Sequence, residues 1–179
     1  YEVTALIAPR PLAVGQAVMA MAPGSFARYV TVPAAAVVRI PTGLSFAAAA
    51  TLPIAFLTAV YGLEEVAGLR AGERVLIHAA AGGVGQAAIQ VAQRVGAEVW
   101  ATASERKWVE VRRLGVQEVM NSRTVGFGAE VRERTRGEGV QRNQYADAVS
   151  VTSASFQAFA NASRVARSLR FCSFSASAS

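Results

Sequence analysis

Two short stretches of this chain carry residue types that can do chemistry: the turn Ala79-Ala80-Ala81-Gly82-Gly83-Val84-Gly85 and the polar stretch Ser104-Glu105-Arg106-Lys107. Residues without side-chain bulk let a pyrophosphate come close to the backbone, and a helix opening at Val84 would offer its unpaired N–H groups and the positive end of its dipole. The pattern departs from G-x-G-x-x-G, because Ala80 stands where the first glycine would be. A tight packing turn between strand and helix asks for the same small residues, so the turn alone leaves both readings open. Context favours the cofactor: the turn follows a predicted strand, opens a predicted helix, and is followed roughly 20 residues on by the end of a second strand.

That second strand end selects between cofactors. An NAD site usually places Asp or Glu there for the ribose 2′-OH, whereas this chain has Thr102, Ala103, Ser104, Glu105, Arg106 and Lys107. A small polar serine followed by two cations suits a 2′-phosphate, so NADPH is expected over NADH, with Glu105 as a dissenting charge. The alternative for Arg106 and Lys107 is a solvated first helical turn. Arg123, just past the third strand, adds a cation. His78, the only histidine, reads as a packed or edge residue rather than a catalytic one, and Met19, Met21 and Met120 read as core filling. Asp147 is the only aspartate and Cys172 the only cysteine. No Ser/His/Asp set for hydrolysis and no zinc ligand cluster is evident, so no metal is expected.

The elements that must position these residues alternate in type. Val75 to His78 is a short apolar run of buried parallel-strand kind, and a helix should follow over 84–95, with Ala88, Val91, Ala92 and Val95 on one face and Gly96 as its stop. A strand over 97–103, a helix over 106–115, a strand over 117–122 and a helix over 128–137 continue the rhythm. Three strand–helix alternations imply a parallel sheet with right-handed crossovers. Before them, "AVMAMA", "FARYVTV" and "AVVRI" read as short strands between residues 17 and 40, and Ser45 to Glu65 as two helices with Ser45 as first cap. The expected organisation is thus a β-rich segment over 1–45, a cofactor domain over 46–151 containing a last strand at 147–151, and a low-complexity tail over 152–179.

Composition narrows the classes further. With 179 residues, 53% hydrophobic, the chain can bury a substantial core. Its formal charge of +6 comes from dispersed arginines mixed with glutamate, which argues against a nucleic-acid surface. No apolar run approaches an uninterrupted membrane span; "SFAAAATLPIAFLTAVYGL" comes nearest but is broken by Pro53. A lone cysteine fits a reducing, cytoplasmic setting. The sequence opens at Tyr1 in mid-pattern, as expected of a piece of a longer polypeptide.

Taken together, "GERVLIHAAAGGVGQAAIQVAQRVGAEVWATAS", the following "KW", "APGSFARYV", "IPTGLSFAAAATLPIAFLTAVYGL" and "NSRTVGF" closely resemble the enoyl reductase domain of modular polyketide synthases and animal-type fatty acid synthases. These belong to the zinc-free, quinone-oxidoreductase-like branch of the medium-chain dehydrogenase/reductase superfamily. The likeness runs from about Leu12 to Val140. It implies an α/β fold, an incomplete Rossmann-like parallel sheet preceded by part of a GroES-like β-rich domain. It also implies hydride transfer from NADPH to the β-carbon of a trans-2-enoyl thioester on an acyl carrier protein, then protonation at the α-carbon. Neighbouring synthase domains would be its partners, and a homodimer is a possible state of the parent synthase.

By position, the resemblance assigns Ala81, Gly82, Gly83, Val84 and Gly85 to the pyrophosphate turn, and Ser104 and Arg123 to the adenosine-phosphate region. Thr58 lies, on the same basis, near the nicotinamide. Lys107 matches the lysine proposed as proton donor or orienting group, as well as lying in the 2′-phosphate region. Two departures stand out: Gly126 takes the place of an aspartate common in the family, and the usual strand and turn after Val140 are replaced. The alternatives are therefore an NADPH:quinone oxidoreductase or a non-catalytic remnant.

Overall fold

The computed structural model describes residues 12–143, which divide between Ile54 and Ala55 into two compact units. In the first, "AVMAMA" and "AVVRI" supply two short antiparallel strands, β1 (Val18–Ala20) and β2 (Val37–Arg39), with Val18 opposite Arg39 and Met19 opposite Val38. Helix α1 (Phe46–Ala50) starts where Ser45 Oγ accepts the Ala48 N–H at 3.2 Å, an N-cap as expected. It packs on β1 and buries Ala49.

The strand expected over 26–32 does not form. The backbone bends through Phe26 to Arg28, Phe26 and Tyr29 are exposed, and Arg28 lies over the Tyr29 ring. β-propensity expresses a fit to a neighbouring pleated surface, and no ladder among the described residues includes this segment. Met19 is buried as expected, while Met21 is only half-buried.

Helix α2 (Leu52–Val60) runs through Pro53, which sits in its first turn where no N–H is needed. The chain then winds with wider i→i−5 turns over Tyr61–Val66. The expectation that Pro53 would interrupt this apolar run is therefore corrected: Phe46–Val66 is helical over 21 residues with mean hydropathy 1.8, long and apolar enough to span a membrane by composition alone. Phe56, Leu57, Ala59, Val60 and Leu63 are nevertheless buried in protein, as in a core helix.

In the second unit the strand–helix rhythm is realised. β3 (Arg74–Ile77), β4 (Glu98–Ala103) and β5 (Glu118–Asn121) pair in parallel, with Ile77 opposite Ala101 and Ala103 opposite Asn121. Helix α3 (Gly83–Val95) links the first two strands, α4 (Trp108–Arg113) the next two, and α5 (Phe127–Arg134) follows β5. Gly96, with φ of 85°, ends α3 in the left-handed conformation, its N–H reaching back to the carbonyls of Ala92 and Gln93. Ala87, Ala88, Ile89, Val91 and Ala92 are buried, a wider face than the four expected positions, and Val95 is only partly covered.

A strand also forms at 142–143, ahead of the one expected at 147–151. β6 (Arg142–Asn143) pairs in parallel with the free side of β3, giving the order β5-β4-β3-β6. Its two residues show no hydrophobic pattern; polar groups tie them in place. Arg142 pairs with Glu73 at 3.3 Å, Gln141 Oε1 accepts the Arg74 N–H at 2.8 Å, and Arg74 pairs with Glu98 and Glu138. One side of the sheet is filled by Leu76, Trp100, Met120 and Val131, with Phe127 and Val140 against them. The strand expected at 147–151 and the tail over 152–179 lie outside the described residues.

Candidate dinucleotide site

Strand order fixes where a ligand can sit. β3 passes to β4 and β5 on one side, and the chain later returns to β6 on the other, so the carboxyl end of β3 is the point where the winding reverses and a crevice opens. The glycine turn leaves β3 at that point.

Its geometry follows from small residues in particular places. Ala79 takes a left-handed φ of 48°, and its carbonyl accepts the Gly82 N–H at 2.8 Å, closing the turn. The Ala80 N–H donates to the Thr102 carbonyl at 3.0 Å, pinning the turn to β4, and Gln86 Nε2 donates to the Ala81 carbonyl at 3.0 Å. Gly85 is buried, and a Cβ there would lie 2.5 Å from the Ala79 oxygen and 2.7 Å from Ala80 Cα. Its role is to let α3 begin directly over the turn. Gly83 is different: it is exposed, and a Cβ would meet nothing within 4 Å. Gly82 occupies the N-cap without a side chain to cap the helix, and the first backbone bond of α3 runs from the Gln86 N–H to the Gly82 carbonyl. The N–H groups of Gly83, Val84 and Gly85 therefore precede the first helical hydrogen bond. The terminus thus has no side-chain cap and has open space at Gly83, the arrangement in which backbone N–H groups can receive an anion.

The other expected residues gather at the same edge of the sheet. Ser104 follows β4, and Lys107 closes a single tight turn there, its N–H donating to the Ser104 carbonyl at 2.8 Å, before α4 begins. Arg123 follows β5, with its backbone N–H held by Asn121 Oδ1 at 2.8 Å. Arg106, Lys107 and Arg123 are exposed, and none joins an ion pair among the described residues. Thr58 comes from a different place, the exposed side of α2, rather than from a strand end.

His78 is held as a packed residue. Its Nδ1 lies 3.1 Å from Thr102 Oγ1, its ring meets Phe127 edge-on at 5.3 Å, and burial pushes its pKa below the ordinary value, favouring neutral imidazole. Two residues escaped the sequence reading. Thr102, almost fully buried, holds both His78 and Ala80; its signal was a hydroxyl in the otherwise apolar run "EVWATA". Asn121 also binds Glu105, donating from Nδ2 to Oε1 at 2.8 Å, and its signal was its place at a strand's carboxyl end.

A parallel sheet with an open glycine-rich helix terminus at its switch point is a fold of the Rossmann kind. The family model described as "Zinc-binding dehydrogenase" matches residues 83–169. Erythronolide synthase EryA2 of Saccharopolyspora erythraea is 48% identical over 128 residues, which cover 70% of this chain and 4% of that synthase. Among solved structures, the CurK enoyl reductase is 50% identical with a TM-score of 0.68, over 74% of this chain and 40% of that one. The JamJ enoyl reductase in its apo form is 45% identical with a TM-score of 0.63, over 75% and 40%. The chain thus spans 40% of each of these two enoyl reductases and 4% of the synthase. Over the matched residues it is similar to the enoyl reductase domains of polyketide synthases, which are of the medium-chain dehydrogenase/reductase kind. Despite the wording of the matched family, no three His, Cys, Asp or Glu side chains among the described residues are grouped to hold a metal.

Proposed function

We propose that this chain is the cofactor-binding part of an NADPH-dependent enoyl reductase domain acting on a trans-2-enoyl thioester held by an acyl carrier protein, within a cytoplasmic polyketide or fatty acid synthase. Residues 46–151 form the cofactor domain in this reading and 1–45 belong to the β-rich substrate domain. The observation that carries it is the convergence, at one edge of the sheet, of the open terminus at Gly82 and Gly83 with Ser104, Lys107 and Arg123.

In this reading Ala81 to Gly85 hold the pyrophosphate, with Gly83 giving it room and Gly85 shaping the helix start. Ser104, Lys107 and Arg123 receive the 2′-phosphate through hydroxyl and charge. Thr58 would lie beside the nicotinamide, which when bound would supply a hydride for the substrate β-carbon, the α-carbon gaining a proton. The alternative role for Lys107, which excludes the 2′-phosphate contact, is to deliver or orient that proton. Holding the alkene and cofactor in contact supplies much of the acceleration.

Loss of NADPH absorbance with crotonyl thioester, measured on the protein extended to the full domain, tests the proposal; no oxidation would sink it, and turnover of quinones alone would favour a quinone oxidoreductase. In the same assay Lys107→Ala is expected to lower kcat/KM at least about tenfold, the order of one lost charge-assisted contact. A rise in the KM for NADPH alone assigns Lys107 to the phosphate, and a fall in kcat alone assigns it to the proton. An unchanged rate removes it from both. Gly126, without a side chain at the start of α5, favours one second reading, cofactor binding without turnover.

A further inference from the structure

Glu105 is the one acidic side chain in the stretch Ser104 to Lys107, and a free carboxylate there would repel a 2′-phosphate and suit a ribose hydroxyl instead. The structure gives this carboxylate a partner on the next strand. Asn121, the last residue of β5, donates from Nδ2 to Glu105 Oε1 at 2.8 Å. Its other amide atom is committed as well: Oδ1 accepts the Arg123 N–H at 2.8 Å. One amide therefore engages the acidic group of the β4 end with its donor half and fixes the backbone that carries a cation of the β5 end with its acceptor half. A carboxylate could not replace it, having no proton to give Glu105, and neither could an apolar residue.

We infer that Asn121 is the specificity-setting residue of the cofactor site, a positioning residue that ties the Glu105 carboxylate to the end of β5 and fixes the backbone carrying Arg123, so that the cations of this edge rather than Glu105 meet a 2′-phosphate. The inference rests on the NADPH reading above and deepens it. Asn121 does not touch the reacting atoms; it acts through Glu105 and Arg123.

Equilibrium titration of the whole chain with NADPH and, separately, NADH tests it, read by cofactor fluorescence. The chain itself should prefer NADPH. Asn121→Ala should weaken NADPH binding about tenfold, the order expected when one charge-assisted hydrogen bond is lost, while leaving NADH within about twofold. Glu105→Gln in the Asn121→Ala background should recover most of the NADPH affinity, a rescue that a merely structural asparagine would not show. Glu105→Gln alone, an exposed change that leaves the fold intact, should change NADPH affinity less than about threefold because the carboxylate is already engaged. Equal weakening of both cofactors by Asn121→Ala, absence of rescue, or a large NADPH gain from Glu105→Gln alone each overturns the inference and leaves the NADPH reading standing. Equal affinity of the unchanged chain for NADPH and NADH, or no saturable binding, overturns that reading and this inference with it.

Discussion

Two glycines two positions apart should respond to the same substitution in opposite ways. At Gly85 an added methyl would lie 2.5, 2.7 and 2.9 Å from Ala79 O, Ala80 Cα and Ala80 C, all backbone atoms, so the start of α3 or the whole turn must move. Overpacking of that kind costs about 1–3 kcal/mol, and the rigidity of the backbone partners places Gly85→Ala toward the upper end. With a urea m-value of about 1.5 kcal/mol per molar for a domain of this size, the unfolding midpoint should fall by roughly 1.5–2 M. At Gly83 the same methyl meets nothing within 4 Å, and the residue is already helical. Gly83→Ala should therefore leave stability unchanged or raise it by up to about 1 kcal/mol, while filling the space a pyrophosphate needs and weakening NADPH binding by about tenfold or more. Urea unfolding followed by circular dichroism, paired with NADPH titration, reads both. Unaltered NADPH affinity in Gly83→Ala would refute the assignment of the phosphate to this face of the turn, and an unaltered midpoint in Gly85→Ala would refute the packing argument.

Two further expectations concern the flanks of the site. Burial lowers the pKa of His78 below its ordinary 6.5, so the unfolded chain binds the proton more readily. The stability this gives is complete above about pH 6.5 and declines as pH falls through 6.5 toward the depressed folded value. Urea midpoints between pH 7.5 and 5 should show that decline, and His78→Asn should flatten it. At Gly126 a Cβ would meet only Thr124 Oγ1, at 3.9 Å, and the backbone has an ordinary φ of −70°. Gly126→Asp should therefore be accommodated and stabilise by about 0.5–1 kcal/mol through loss of unfolded-state freedom and a carboxylate at a helix start; a lower thermal midpoint would contradict this.

The parts of the fold legible in the sequence were those whose residues settle their own conformation. Val75 to Ile77, the helix ending at Gly96 and the buried Met120 could be read because burial, periodicity and a left-handed glycine each act locally. β6 could not, since Arg142 and Asn143 are held by Glu73 and by the edge of β3, partners distant in sequence. "FARYVTV" misled for the converse reason: its residues favour a strand, but a strand also needs a neighbour. At the site, the glycine turn and its cations were visible by type. The division of labour between Gly83 and Gly85 was not, because it depends on which backbone atoms each faces. Nor was the part played by Thr102 and Asn121, whose importance lies in hydrogen bonds across adjacent strands.

The two-residue strand β6 also bears on how the crevice is assembled. Arg74 lies 24 residues from its β4 partner Glu98 but 67 from Gln141 beside β6. Closing the longer span first would cost about 0.9 kcal/mol more chain entropy, by the logarithmic dependence on loop length, with only two ladder positions to offset it. Once β4 and β5 have docked, the free span shrinks to the stretch between Asn121 and Arg142, and the penalty falls with it. The wall that carries the glycine turn is therefore favoured to form first, and the crevice becomes two-sided only when the return strand arrives.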